Sequence, residues 1–168
     1  MEVAGEGGAT TALNSDMCSR VYRPAGRPPE CRYARRRDDG RQVLAATEPL
    51  LASLRVLDLC GPEGDLISRL LADLGADVLK VEPPGGSPGR ADLPTVEGVS
   101  IPFALHNANK RAIVLDPARE ADRGTLVELA GQADIVIDSG LPGRAADYGT
   151  SCEQLADRFP HLVAMAVT

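Results

Sequence analysis

Residues 55–82 read RVLDLCGPEGDLISRLLADLGADVLKVE, and this stretch decides the fold. Arg55-Val-Leu-Asp-Leu59 is a short apolar run with a β-branched residue, closed by the turn formers Gly61, Pro62 and Gly64. Asp65 stands where a helix N-cap belongs, its carboxylate able to accept from an unpaired backbone N–H. Leu66, Ile67, Leu70, Leu71 and Leu74 follow at helical spacing and make one continuous apolar stripe. Gly75 ends the helix as a residue that takes positive φ without a Cβ clash. Asp77–Glu82 returns as a second strand, stopped by Pro83-Pro84. Strand, helix and strand of these lengths predict a right-handed βαβ unit. Its first turn then lies at the carboxyl edge of a parallel sheet, where α/β proteins bind ligands.

The rest of the chain extends this unit. Pro83 to Ser100 reads as loop, and Ile101 to Asn107 as a short helix leading to Asn109-Lys110-Arg111. Ala112–Asp116 is the third strand, closed by Pro117, and Arg119–Ala130 a helix weakened by Gly124. Ala133–Asp138 is the fourth strand, followed by the turn Ser139-Gly-Leu-Pro-Gly143. Ser151 with Gln154 three residues on is a capping-box pattern opening another helix. Leu162–Thr168 is the fifth strand, with no helix after it to cover it, a pattern expected of a fragment rather than a finished domain.

Composition bounds the class. A chain of 168 residues with 43% hydrophobic content suggests one domain with an adequate core. Aromatic residues make up only 3%, so that core is Leu, Val, Ile and Ala, as in helix-covered parallel sheets. A net charge of −6 argues against a general nucleic-acid binder. Nothing reads as a membrane span or a secretory signal. Cys18, Cys31, Cys60 and Cys152 form no C-x-x-C pair and lack histidines at metal-ligand spacing, which predicts reduced thiols in a cytoplasmic protein and no metal site. Residues 1–50 stand apart: eight arginines lie between Arg20 and Arg41, interleaved with prolines and without helical or strand period. They read as a disordered Arg/Pro/Gly-rich extension, and residues 51–168 as the folded part.

Several side chains invite a functional reading. Glu82 ends the second strand where a ribose-binding acid would sit, but G-x-G-x-x-G is absent and Pro62 and Asp65 oppose a pyrophosphate, so a solvated strand end is expected. Lys80, Arg90, Lys110 and Arg111 are cations near the predicted carboxyl-edge loops and able to pair with phosphates, the adjacent Lys110-Arg111 carrying most weight. Cys60 reads as a structural thiol rather than a nucleophile, and His106 as structural. Asp58, Asp116 and Asp138 end or interrupt apolar strands, where capping explains each.

The order of these pieces is distinctive. L-L-A-D-L-G-A-D-V-L-K-V-E-P-P-G-G at Leu70–Gly86 precedes N-x-N-K-R at Asn107–Arg111 and I-V-L-D at Ile113–Asp116. A-D-I-V-I-D at Ala133–Asp138, P-G at Pro142 and F-P-H-L-V at Phe159–Val163 follow. From about residue 53 to 168 this resembles the N-terminal part of the family III CoA-transferases. The resemblance implies a Rossmann-like large domain, here incomplete, within an interlocked homodimer. It implies transfer of CoA from an acyl-CoA to a carboxylic acid, or racemisation of a 2-methylacyl-CoA, with acyl-CoA as substrate and no covalently bound cofactor. The aspartate that forms the acyl anhydride lies, in the family, beyond the position matching Thr168, so no catalytic residue is expected in this chain. CoA contacts are implied at Glu63, Gly64, Leu115, Asp116, Ser139 and Gly140, beside the cations Lys110 and Arg111. The match has departures: Pro62-Glu63 replace a Gln-Ala pair, Ser139-Gly140 an Asn-Phe pair, and Pro83 an arginine. Ala118 stands for a lysine, and a later arginine aligns near Asp147. A non-catalytic CoA-ester-binding or subunit-pairing member, and a nicotinamide-nucleotide-binding module, are the alternatives.

Overall fold

The computed structural model of the protein describes residues 49–168. The extension expected over residues 1–50 lies outside these, except for Pro49 and Leu50. Pro49 packs against Gly75, filling the space a Cβ there would need, and its carbonyl accepts from the Ala52 N–H at 3.1 Å, whereas Leu50 is exposed.

The opening βαβ unit forms as the pattern predicts, with β1 at Arg55–Asp58, α1 at Asp65–Asp73 and β2 at Asp77–Glu82. The stretch read as plain loop holds a 3₁₀ turn at Pro88–Ala91 and a small antiparallel hairpin, β3 (Thr95–Val96) and β4 (Val99–Ser100), turning through Glu97 and Gly98, both at positive φ. Helix α2 (Ile101–Asn107) starts at Ser100, whose Oγ accepts from the Phe103 N–H at 3.2 Å. Then follow β5 (Arg111–Val114), α3 (Glu120–Gln132), β6 (Ile135–Ser139), a 3₁₀ turn (Arg144–Tyr148), α4 (Cys152–Arg158) and β7 (Val163–Val167). The capping expected at Ser151 is present, its Oγ accepting from the Gln154 N–H at 3.1 Å.

The five long strands form one parallel sheet in the order β5-β2-β1-β6-β7. From β1 the chain steps outward through β2 to β5, then returns to the other side of β1 for β6 and β7. The direction reverses between β1 and β6. In doubly wound sheets ligands settle outside the strand carboxyl ends at such a switch point.

Period-two alternation divides the sheet's faces. Leu57, Leu59, Val81 and Val136 point to one side and pack with Leu126, Ala130, Tyr148 and Leu155 from α3, α4 and the 144–148 turn. A smaller apolar cluster of Val56, Cys60, Val78, Ile137, Ala72 and Ala76 lies beneath α1. That second cluster is small because charged groups occupy the rest of the face.

Only part of the expected apolar stripe on α1 is therefore buried, Ile67 and Leu71 packing against this cluster. Leu66, Leu70 and Leu74 are 51%, 57% and 47% exposed, whereas Asp65, Ser68 and Ala72 face the sheet. The register pairs Asp58 with Lys80 on the same face, and α1 is rotated so that Asp65 and Ser68 meet them. Polar pairing in the interior overrides the leucine pattern, because an unpaired buried charge costs more than an exposed leucine.

Candidate functional site

Beneath α1 lies a sealed set of two carboxylates and two ammoniums. Lys110 Nζ donates to Asp58 Oδ2 at 2.9 Å, to Asp65 O at 2.8 Å and to Asn107 Oδ1 at 2.8 Å. Lys80 Nζ donates to Asp65 Oδ1 and to Cys60 O, the latter at 2.7 Å. Ser68 donates to Asp58 Oδ2 at 2.6 Å, and the Cys60 N–H to Asp58 Oδ1 at 2.9 Å. Asn107 Nδ2 completes the set on Asp65 Oδ2 at 2.8 Å. Asp65 is thus not the N-cap expected of it; Gly64 takes that position and Asp65 is the buried first residue of α1. Burial raises the Asp58 carboxyl, but Lys80, Lys110 and the Ser68 hydroxyl more than offset this and hold it below its ordinary value. Burial likewise draws the Lys110 ammonium down, against the pull of Asp58.

The other expected cations are also engaged. Glu82, read as a solvated strand end, is 2% exposed and grips Arg90 through two 2.7 Å bonds while accepting from the Ser87 N–H at 2.8 Å. Arg90 also stacks over Phe103 at 4.3 Å from the ring centroid, so the proline-rich loop is pinned from two sides. Arg111 pairs with Asp77 at 2.8 and 2.6 Å, which places it at the amino edge of the sheet and not with the carboxyl-edge loops. Lys110 faces inward. Neither cation of the Lys110-Arg111 pair is presented to a ligand in that crevice: one is saturated by three acceptors, the other sits at the wrong end of its strand.

Acid should expose this dependence. Burial raises Glu82, but Arg90 and the Ser87 N–H hold it below its usual range, as Asp58 is held. A carboxylate with a folded pKa below its unfolded value contributes stability above the unfolded value, and that is lost as pH falls through the folded one. Urea midpoints are therefore expected to change little from pH 7 to about 5 and to fall steeply below about 4, near the unfolded carboxylate values. A midpoint at pH 3 equal to that at pH 7 would contradict these assignments.

At the switch point the loops after β1 and β6 are tied together. The Gly61 N–H donates to Ser139 Oγ at 2.8 Å, and the Ser139 hydroxyl donates to Glu63 Oε1 at 2.7 Å. Gly64 must lack a side chain: a Cβ there would lie 2.7 Å from Cys60 Sγ and 3.3 Å from Ser139 Cβ. Gly140 follows at positive φ with open space beside it. Asp138 holds the next turn, accepting from the N–H groups of Ser139, Arg144 and Ala145 at 2.8, 2.8 and 3.1 Å. Glu63, Gly64, Ser139 and Gly140 thus converge on one crevice. Leu115 and Asp116 lie further along the same edge, joined to it by the Tyr148 hydroxyl, which donates to Leu115 O at 2.9 Å. Asp116 caps its own loop, accepting from the Ala118 N–H at 2.9 Å.

At the same edge lies a cavity of about 40 Å³ walled by Leu59, Val81, Pro83, Pro117 and Tyr148, with Arg144 and Asp147 at its polar side. Arg144 is the residue that reading the sequence misses. Its signal was available, an arginine directly after the glycine that closes the β6 turn. Cys60 also lines this cavity, but burial pushes its thiol far up, so it supplies no thiolate nucleophile. Among the described residues no cluster of three or more side chains suits a metal ion, and no helix is long and apolar enough to cross a membrane.

Sheet order and crevice define a doubly wound α/β protein with a switch-point site. Residues 51–168 match the profile of CoA-transferase family III, and the chain belongs to that family. It is 62% identical over 116 residues to a probable CoA-transferase of Mycobacterium tuberculosis, a match covering 68% of this chain and 15% of that protein. It is 35% identical over 121 residues to the formyl-CoA:oxalate CoA-transferase of Streptomyces avermitilis, covering 70% of this chain and 29% of the relative. Its fold superposes on the crystal structure of a CAIB/BAIF family protein from Brucella suis with a TM-score of 0.65 and 34% identity, covering 73% of this chain and 34% of that one. The chain thus spans less than a third of the length of the two curated relatives.

Proposed function

We propose that residues 51–168 form the coenzyme-binding part of a protein that moves CoA between an acyl-CoA and a carboxylic acid. The observation that carries this reading is the convergence of Glu63, Gly64, Ser139 and Gly140 at the switch point of a family III fold. In this reading the backbone of the two tied turns lies against the coenzyme, with Leu115 and Asp116 bordering it. Carboxylate chemistry would suit the exchange, since an acyl anhydride on the protein splits one hard transfer into easier steps. The described carboxylates around the sheet are otherwise occupied: Asp58 and Asp65 by lysines, Glu82 by Arg90, and Asp138 by three backbone amides. The nucleophile is assigned to none of these four. Pairing with a second copy belongs to the same proposal, as does the cytoplasm as its place of work.

A nicotinamide nucleotide is disfavoured because Glu82, the acid positioned for a ribose, is buried against Arg90. Calorimetric titration of the 168-residue chain with acetyl-CoA and with NAD tests the choice. Saturable heat with acetyl-CoA and none with NAD is expected. Binding of NAD without acetyl-CoA would overturn the proposal.

A further inference from the structure

The interior of this protein pairs its polar groups closely, which makes one exception informative. Arg144 Nε is buried and has no hydrogen-bond partner among the described residues. A buried N–H left unmade carries a desolvation cost of roughly 1–3 kcal/mol, and such groups persist where they have another use. Each of Lys80, Arg90, Lys110 and Arg111 meets a carboxylate within 3 Å, whereas no carboxylate among the described residues forms an ion pair with Arg144.

The arginine is also held in place. Its own N–H is fixed by Asp138 at 2.8 Å, and Gly143 before it turns at φ 95°. Its side chain borders the apolar cavity at the carboxyl edge. Nη2 lies 2.5 Å from where a Cβ on Gly61 would stand, so glycine at 61 makes room for the guanidinium at the floor of the crevice. Asp147 stands on the same side, since residues three apart eclipse in a 3₁₀ turn, and Glu63 faces from the β1 loop with Oε1 committed to Ser139. Neither carboxylate forms an ion pair with the guanidinium at contact distance, although the Arg144 charge adds to the backbone N–H and the Ser139 hydroxyl in holding the Glu63 carboxyl below its ordinary value. The edge carrying Nε and Nη2 meets no acceptor among the described residues, and such an edge binds planar or tetrahedral oxyanions through two parallel N–H···O bonds.

We infer that Arg144 is the oxyanion anchor of this crevice, taking a phosphate of the coenzyme or the carboxylate of the acceptor acid side-on through Nε and Nη2. This rests on the proposed function for the identity of the molecule, though not for the presence of the anion site.

The test compares the full chain with Arg144→Gln, Arg144→Lys and Arg144→Met by calorimetry against CoA, pantetheine and succinate, and by melting in inorganic pyrophosphate. If a coenzyme phosphate is the ligand, Arg144→Gln weakens CoA binding at least tenfold, as loss of a charge-assisted bond does, and leaves pantetheine unchanged. Arg144→Lys recovers part of the loss. If the acceptor carboxylate is the ligand, succinate binding falls instead and CoA binding holds. Arg144→Met is expected to leave the melting temperature of the free chain equal or higher, because it removes an unpaired buried N–H. Pyrophosphate protection that requires Arg144, in a chain that binds no CoA, would support the anchor and sink the coenzyme assignment. Equal affinity of Arg144→Gln and the parent for CoA and succinate, with equal pyrophosphate protection, would sink the anchor alone.

Discussion

The chain carrying Asp58→Ala is expected to lose about 3–5 kcal/mol of stability, the usual cost of stranding a buried charge. Against a typical domain stability of about 5–15 kcal/mol this leaves little or nothing folded. Its cause is the closed charge balance beneath α1. With Asp58 gone, Lys80 and Lys110 share the single carboxylate of Asp65, which Lys110 reaches only at 4.0 Å. The Ser68 hydroxyl and the Cys60 N–H lose their acceptor as well. Lys110→Met is expected to cost a similar amount by leaving the opposite charge in excess. The double variant restores neutrality, so its cost should fall short of the sum of the singles by about 2 kcal/mol or more. Urea denaturation of the four chains measures this. A single-variant loss below about 1 kcal/mol would show that water reaches the cluster.

Gly143→Ala is the second large effect expected, at about 2–4 kcal/mol. At φ 95° and ψ 154° the position falls in a region essentially reserved for glycine, which accounts for roughly 1–3 kcal/mol. The new Cβ would also stand 2.5 Å from Asp138 Oδ2 and 3.2 Å from its Cγ. Asp138 would have to move, releasing the amides that hold Arg144 in the crevice. Acetyl-CoA binding should weaken together with stability. Gly124→Ala is the internal comparison, since that glycine lies within α3 with open space around it and alanine there should be neutral or stabilising by up to about 1 kcal/mol. Equal denaturation midpoints for the two variants would contradict this account.

The strands and their connection were legible from the sequence because each is a short apolar run between turn formers, and such runs report local preference. Asp77–Glu82 is observed as expected, and the other four strands of the parallel sheet differ by one or two residues at their ends, whereas the β3–β4 hairpin was read as loop. The rotation of α1 was not legible. Leu66, Leu70 and Leu74 advertise a core-facing stripe, and only the pairing of Asp58 with Lys80 across two strands and with Lys110 just before a third shows that the sheet offers charge there instead. The same blindness explains the cations. Lys80, Arg90, Lys110 and Arg111 were picked for their nearness to the carboxyl-edge loops, yet their carboxylate partners lie 8 to 52 residues away in sequence, at Asp65, Glu82, Asp58 and Asp77. Glu63, Gly64, Ser139 and Gly140 do share one crevice, since both turns leave neighbouring strands at the same edge. Arg144 was passed over because no apolar run or paired motif draws the eye to a turn.

The sealing of the four charges beneath α1 has a consequence for how this protein meets brine. Dissolved ions weaken attractions they can surround, as at the exposed Arg111–Asp77 pair on the surface. They cannot enter a site where Lys80, Asp58 and Asp65 are each within 2% of full enclosure. The seating of α1 on the sheet is thereby made independent of ionic strength.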